Sequence, residues 1–125
     1  LNWKDGVDAL NPSQKIFYSV EWLVIEVENG GISQFFYNDS RMVAPFVSEY
    51  LKIIGADEHK KLYDDFVCKH DFDLEKMTSF HYDTAEEFLL QCEGYPFYDF
   101  DDAFYALESL ETYLTHFVRI HLEDF

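Results

Sequence analysis

A chain of 125 residues with 25 Asp/Glu against 9 Lys/Arg carries a formal charge of −16 at pH 7. Neutralising phosphates takes cations that it hardly has, so the composition argues against direct nucleic-acid binding. Disorder is excluded too, because 48% hydrophobic and 19% aromatic residues supply more burial than disordered chains possess.

The length fits one domain over residues 1–125 around one core. The charge is lopsided: residues 71–125 hold 14 Asp/Glu against Lys76 and Arg119, and residues 1–70 hold 11 against seven Lys/Arg. Such a field favours a cationic partner. Thirteen Phe and nine Tyr are enough to fill a core and leave some for an interface. Cys68 and Cys92 lack CxxC spacing and are expected as free thiols. With no signal-like run and no apolar span of about 20 residues, a soluble cytoplasmic protein is expected.

Along the chain, Asn11-Pro12 reads as a helix cap followed by proline at the first helical position. Ile16, Val20, Leu23 and Val27 then recur at helical spacing, widened by Phe17 and Val24. Asn29-Gly30-Gly31 stops this helix, since glycine adopts positive φ without strain. A short helix from about Ile32 to Tyr37 follows. Pro45 opens a third helix with Phe46, Val47, Tyr50, Leu51 and Ile54 as its apolar residues, and Gly55 ends it. Asp57 caps a fourth helix to about His70, with Leu62, Phe66 and Tyr63 turned inward.

From Asp71 to Asp83 the periodicity fails and an irregular connection is expected. Thr84 and Glu87 form a capping-box pattern that starts a helix to about Glu93. Phe104, Leu107, Leu110, Leu114, Phe117, Val118 and His121 then follow one face of a helix from about Asp102 to Leu122, whose dipole Asp101 or Asp102 complements. No stretch alternates with period two for long. The expected fold is all-α, a single compact domain of five or six helices.

The corner at residues 26–38 is too particular for a generic turn. Glu26 in the last turn of its helix opposes the macrodipole by roughly 0.3–1 kcal/mol, so a compensating hydrogen bond is expected, from amides beyond the glycines or from Gln34 or Asn38. The pattern formed by Glu26, Val27, Asn29, Gly30, Gly31, Gln34, Phe35, Phe36 and Asn38 resembles the E-V-x-N-G-G-x-x-Q-F-F-x-N signature of a bacterial family of helical domains. The best-studied member of that family is a dimeric DNA mimic. Ile53-Ile54-Gly55-Ala56, the stretch from Phe100 to Tyr105 and the tail from His121 to Phe125 are similar as well, whereas residues 71–83 match poorly.

The resemblance implies an all-helical fold, a possible homodimer and an acidic surface that occupies the DNA-binding face of a transcription factor. It leaves the signature residues with an architectural role, Phe35 and Phe36 burying beneath a polar corner.

B-DNA presents about one charge per 1.7 Å of axis, whereas acids every three or four residues on one helix give one per roughly 5–6 Å. Mimicry therefore needs acidic segments side by side, or one patch repeated by a two-fold axis. Candidate partner-binding acids are Asp71, Asp73 and Glu75, then Glu86, Glu87 and Glu93, then Asp99, Asp101, Asp102, Glu108 and Glu111; the group from Asp99 to Glu111 is favoured.

His59, His70, His81, His116 and His121 show no zinc-binding spacing, and His121 reads as a core-edge residue. Neither a calcium loop, a phosphate loop nor a nucleophile elbow is present, so no cofactor and no enzymatic activity are expected. The functional expectation is a transcription-regulating DNA mimic that binds a basic DNA-binding protein, transcription factor or nuclease, and competes with DNA. The alternatives are an immunity-type inhibitor of a basic toxin nuclease, an acidic helical domain without mimic activity and, from another class, an enzyme using the Glu26, Gln34 and Asn38 corner. An open pocket lined by those three side chains would favour the enzyme, and their full burial with internal hydrogen bonds would remove it.

Overall fold

A computed structural model describes residues 3–69, residue 74 and residues 97–125. Among them are seven α-helices: α1 (Trp3–Asp8), α2 (Pro12–Gly30), α3 (Ile32–Tyr37), α4 (Ala44–Ile53), α5 (Asp57–Lys69), α6 (Phe97–Ala106) and α7 (Leu110–Ile120). Short 3₁₀ turns cover Asp39–Val43 and Leu122–Asp124. The described residues contain no strand, and the fold is all-α. The expected helix at 84–93 and the irregular connection at 71–83 lie outside the described residues.

Helix α2 is the central element, packing on α1, α3, α4 and α7. Its start is fixed by a capping box: the Asn11 carboxamide oxygen accepts the Gln14 N–H at 2.8 Å, and Gln14 Oε1 accepts the Asn11 N–H at 3.1 Å. These bonds satisfy two of the donors that a helix start leaves open. The chain end is drawn onto the same cap. Asn11 Nδ2 donates to the Asp124 carbonyl at 2.8 Å, Ser13 Oγ donates to Asp124 Oδ2 at 2.7 Å, and Phe125 packs edge-on against Phe17.

Of the α2 stripe, Val20, Leu23, Val24 and Val27 are buried, and Ile16 and Phe17 are packed at the core's edge. Opposite them an aromatic line runs through the core. Phe36 stacks on Phe66 at 6.5 Å, Phe66 meets Phe100 edge-on at 5.2 Å, and Phe100 stacks on Phe104 at 6.0 Å. Such ring pairs add to the burial of large apolar surfaces and lock α3, α5 and α6 together. Tyr63 is fully buried, and its hydroxyl donates to the Ala44 carbonyl at 2.8 Å, which ties α5 to the start of α4.

The α4–α5 turn closes as a Schellman motif. The Ala56 N–H donates to the Leu51 carbonyl and the Gly55 N–H to the Lys52 carbonyl, with Gly55 at φ 85°. Ala56, not Asp57, supplies the first carbonyl of α5, to the Lys60 N–H; Asp57 and Glu58 instead occupy the first turn, where acids complement the dipole. Phe46 does not join the core; it is half exposed and stacks on Tyr50.

Three corrections concern helix boundaries. Residues 3–8 form α1, although among its residues of described burial Val7 alone is buried, which leaves no period to read. The helix expected from Asp102 to Leu122 is two helices: α6 starts at Phe97, and the chain breaks after Ala106. It restarts where Ser109 Oγ caps α7 by accepting the Glu111 N–H at 3.2 Å. Phe104, Leu107 and Leu110 are spaced by three on both sides of the break, so the apolar period runs through it unchanged. Of the seven helices of the described residues, five are seven residues or longer, in keeping with the five or six expected.

A corner with engaged acids beside an open acidic side

At the end of α2, Gly31 takes φ 85° and donates its N–H to the Val27 carbonyl at 2.8 Å. The Ile32 N–H, first in α3, donates to Asp101 Oδ1 of α6 at 2.8 Å. A Cβ on Gly31 would stand 2.2 Å from Asp101 Oδ2, so glycine answers both the positive φ and the approach of this carboxylate. Gln34 folds back over Gly30, where a Cβ would stand 2.0 Å from its Oε1.

Glu26 is buried and accepts a hydrogen bond from Asn38 Nδ2 at 2.7 Å. That is one of the compensating bonds the helix dipole called for, and it closes the last turn of α2 onto the end of α3. Ser40 Oγ donates to the Phe35 carbonyl, and Arg41 Nη1 donates to the Tyr37 and Asn38 carbonyls. Phe35 and Phe36 lie fully buried under this network. The signature residues Glu26, Gly30, Gly31, Gln34, Phe35, Phe36 and Asn38 are thus tied into the α2–α3–α6 junction, while Asn29 is exposed at its rim.

Asp101 is placed in this corner and not on an open face. It is only 8% exposed. Burial pushes its pKa above the ordinary carboxylate value, aided by Asp102 and opposed by the Ile32 N–H. Its neighbours Asp99 and Asp102 are exposed one turn apart on α6. Asp71, Asp73, Glu75, Glu86, Glu87 and Glu93 lie outside the described residues.

Glu108 and Glu111, also exposed, meet acids from other helices. Glu111 approaches Glu21 of α2, whose pKa is pushed up to about 7, first by burial, then by Glu111 and Glu28. One proton shared by the two carboxyls makes their contact a hydrogen bond. Without it, Glu21 Oε2 is a buried oxygen lacking a donor. Glu108, Glu58 and Asp57 act together on Tyr113, raising its pKa after burial.

His59 is 2% exposed between the rings of Phe104 and Tyr113. Neither ring nitrogen has a hydrogen-bond partner of good geometry. Burial lowers its pKa against the pull of the Glu108 main chain, Glu58 and Glu108, so the imidazole adds no positive charge at neutral pH.

Six carboxylates from α2, the first turn of α5 and the α6–α7 corner, namely Glu21, Glu28, Asp57, Glu58, Glu108 and Glu111, therefore share one region. Sequence reasoning missed Glu21 and Glu28, whose spacing of seven places both on one side of α2. The ion pairs among the described residues, Lys60–Asp64, Lys61–Asp65 and Arg41–Asp39, involve none of these six. Tyr98, 85% exposed, and Tyr105, 55% exposed, stand on α6 beside the acids.

Among the described residues no group of three His, Cys, Asp or Glu could hold a metal ion, and no helix is long and apolar enough to cross a membrane. His121 sits at the core's edge, its ring 4.3 Å from that of Phe117 and its Nδ1 2.9 Å from the Phe117 carbonyl. Cys68 is an exposed free thiol.

Comparison with known proteins agrees with the resemblance carried by the corner. No curated protein and no solved structure matches the chain. The family model described as DMP19-like protein matches residues 8–121, and the chain belongs to this family of DNA-mimic type proteins.

Proposed function

We propose that this chain is a non-enzymatic cytoplasmic regulator whose acidic side binds the basic surface of a DNA-binding protein and competes with DNA for it. The carrying observation is the assembly of Glu21, Glu28, Asp57, Glu58, Glu108 and Glu111 from three parts of the chain without a lysine or arginine paired to them among the described residues. Carboxylates brought together from neighbouring elements approach the charge density of a duplex in a way that one helix does not. Self-repulsion at such a site costs stability, and a cationic partner relieves it. Family membership supports the same reading.

The corner is read as architecture. Glu26 and Asp101, its two buried acids, are both held by internal hydrogen bonds. The acidic side then serves a partner whose association is steered by charge and weakens with salt. A second copy related by a two-fold axis would extend the acidic surface further, and a homodimer is part of the proposal.

The test is capture of proteins from native cytoplasm at low salt, eluted by a salt gradient. A DNA-binding protein should elute, and its cognate DNA should displace it. Capture should fail when Asp99, Asp102, Glu108 and Glu111 become Asn or Gln. Asp101 is left intact because it holds the corner. No salt-sensitive partner, or one that binds DNA and this chain at once, overturns the reading. Capture of a nuclease encoded beside this chain would transfer the acidic side to an immunity-type inhibitor.

A further inference from the structure

Within the acidic side lies a cavity of about 170 Å³ between the last turns of α2, the end of α6 and the start of α7. Val24, Phe104 and Leu107 give it apolar walls, and Glu28, Glu108 and Tyr105 stand among its lining. Both glutamates are exposed. An apolar slot edged by carboxylates fits a side chain with a hydrocarbon stem and a cationic head.

Three further features have the same sign. The C-terminal ends of α2 and α6 converge here, and each carries the partial negative charge of a helix C-terminus. The opposing N-terminus of α7 is already engaged by the Ser109 cap and carries Glu111 in its first turn. Two turns back along α2 from Glu28, Glu21 keeps a buried oxygen whose one source of a donor is a proton shared with Glu111. No cation of the described residues pairs with any of these acids.

We propose that this cavity seats one arginine side chain of the partner protein, a proposal that rests on the acidic side being the partner-binding face. Arginine is favoured over lysine for three reasons. Its planar fork reaches two carboxylates on separate elements, here Glu28 and Glu108. Its guanidinium is weakly hydrated and loses less on entering a half-enclosed site. Tyr105, anchored by donation from its hydroxyl to the Val27 carbonyl at 2.6 Å, offers a fixed ring for cation–π contact. An arginine held here is withdrawn from the phosphates and guanine edges that such residues contact on DNA.

The experiment is an amide-resolved NMR titration of the full chain at low salt with acetyl-arginine-amide, its lysine analogue and its neutral citrulline analogue. The arginine compound should shift the amides of Glu28, Tyr105 and Glu108 saturably. Lysine should bind about five-fold more weakly or worse, and citrulline should leave these amides unmoved. Glu28→Gln and Glu108→Gln should each weaken arginine about three-fold or more, while neutralising exposed acids elsewhere, Asp8→Asn on α1 and Glu49→Gln on α4, leaves it unchanged. Far-ultraviolet circular dichroism of every variant, matching the parent, establishes that the fold is kept.

Equal binding of lysine or citrulline, shifts spread evenly over all the acids, or concentration-dependent shifts without ligand that mark a second copy in the slot, each overturn the assignment. The two readings fail separately. Arginine binding without capture of any DNA-binding protein leaves the slot standing and removes the mimic. Capture with unchanged salt elution by the Glu28→Gln, Glu108→Gln double variant removes the slot and leaves the mimic.

Discussion

The middle of α6 and the chain just past its end handle carboxylates in opposite ways. At mid-helix, Asp101 is buried against α3 and satisfied by the Ile32 N–H, as Glu26 is by Asn38. Just past its end, Glu108 and Glu111 share a region with Glu21, Glu28, Asp57 and Glu58, and no ion pair among the described residues involves them. An acid held by an internal donor contributes to the fold and offers little to a partner. An acid surrounded by other acids costs stability and offers a partner a large relief on binding.

The comparison breaks most sharply at Gly31. Gly31→Ala imposes a side chain at φ 85° and 2.2 Å from Asp101 Oδ2, so a loss of about 3 kcal/mol is expected in urea denaturation. Gly30→Ala should cost clearly less, because its obstacle is the flexible tip of Gln34. Equal losses would show that the corner does not depend on the Asp101 contact.

Next come the internal acid bonds. Asp101→Ala orphans the buried Ile32 N–H, and Asn38→Ala removes the Glu26 partner; each should destabilise by about 1–3 kcal/mol. The Gly31→Ala, Asp101→Ala double variant should lose less than the sum, because the smaller side chain makes room.

A pH series sharpens the open side. The folded pKa of Glu21, raised to about 7 from an ordinary value of 4.5, means that between those two values the folded chain holds a proton that the unfolded chain has released. Its contribution is therefore fully present below about pH 4.5 and is lost as pH rises toward 7. Glu21→Gln should flatten that part of the profile and raise stability at pH 8 by about 1 kcal/mol, after allowance for solvent screening at a partly exposed site.

His59 acts with the opposite sign. Its lowered pKa makes its contribution present above about 6.5 and lost as pH falls below that value. His59→Leu should remove this acid sensitivity. The smallest effect on folding is expected from Glu108→Gln, within about 0.5 kcal/mol of the parent or slightly more stable. A large loss there would place Glu108 with the engaged acids of the corner.

Much of the fold was legible from local chemistry. Asn11-Pro12 with Gln14, the α2 stripe, the Asn29-Gly30-Gly31 stop and the Gly55 closure are short-range devices, each decided by residues within a few positions of one another. The demand of Glu26 for a donor was legible for the same reason, and Asn38 lay within reach in sequence. The α6–α7 break was not read, because Phe104, Leu107 and Leu110 carry the helical period across it, although Ser109 two residues before Glu111 is a cap signal.

Asp101 shows where such reading ends. Its spacing of four from Phe97 and three from Phe104 sets it on the inward face of α6, unlike Asp99 and Asp102, but its hydrogen-bond donor follows from the packing of α6 on α3, which brings it to a glycine 70 positions earlier. The amino-acid sequence by itself determined how many acids there are, how they are divided along the chain, and that the chain is helical, because charge and helical period are local properties. Only the tertiary structure decided which carboxylates are engaged and which are open, because that depends on what distant helices bring within a few ångströms.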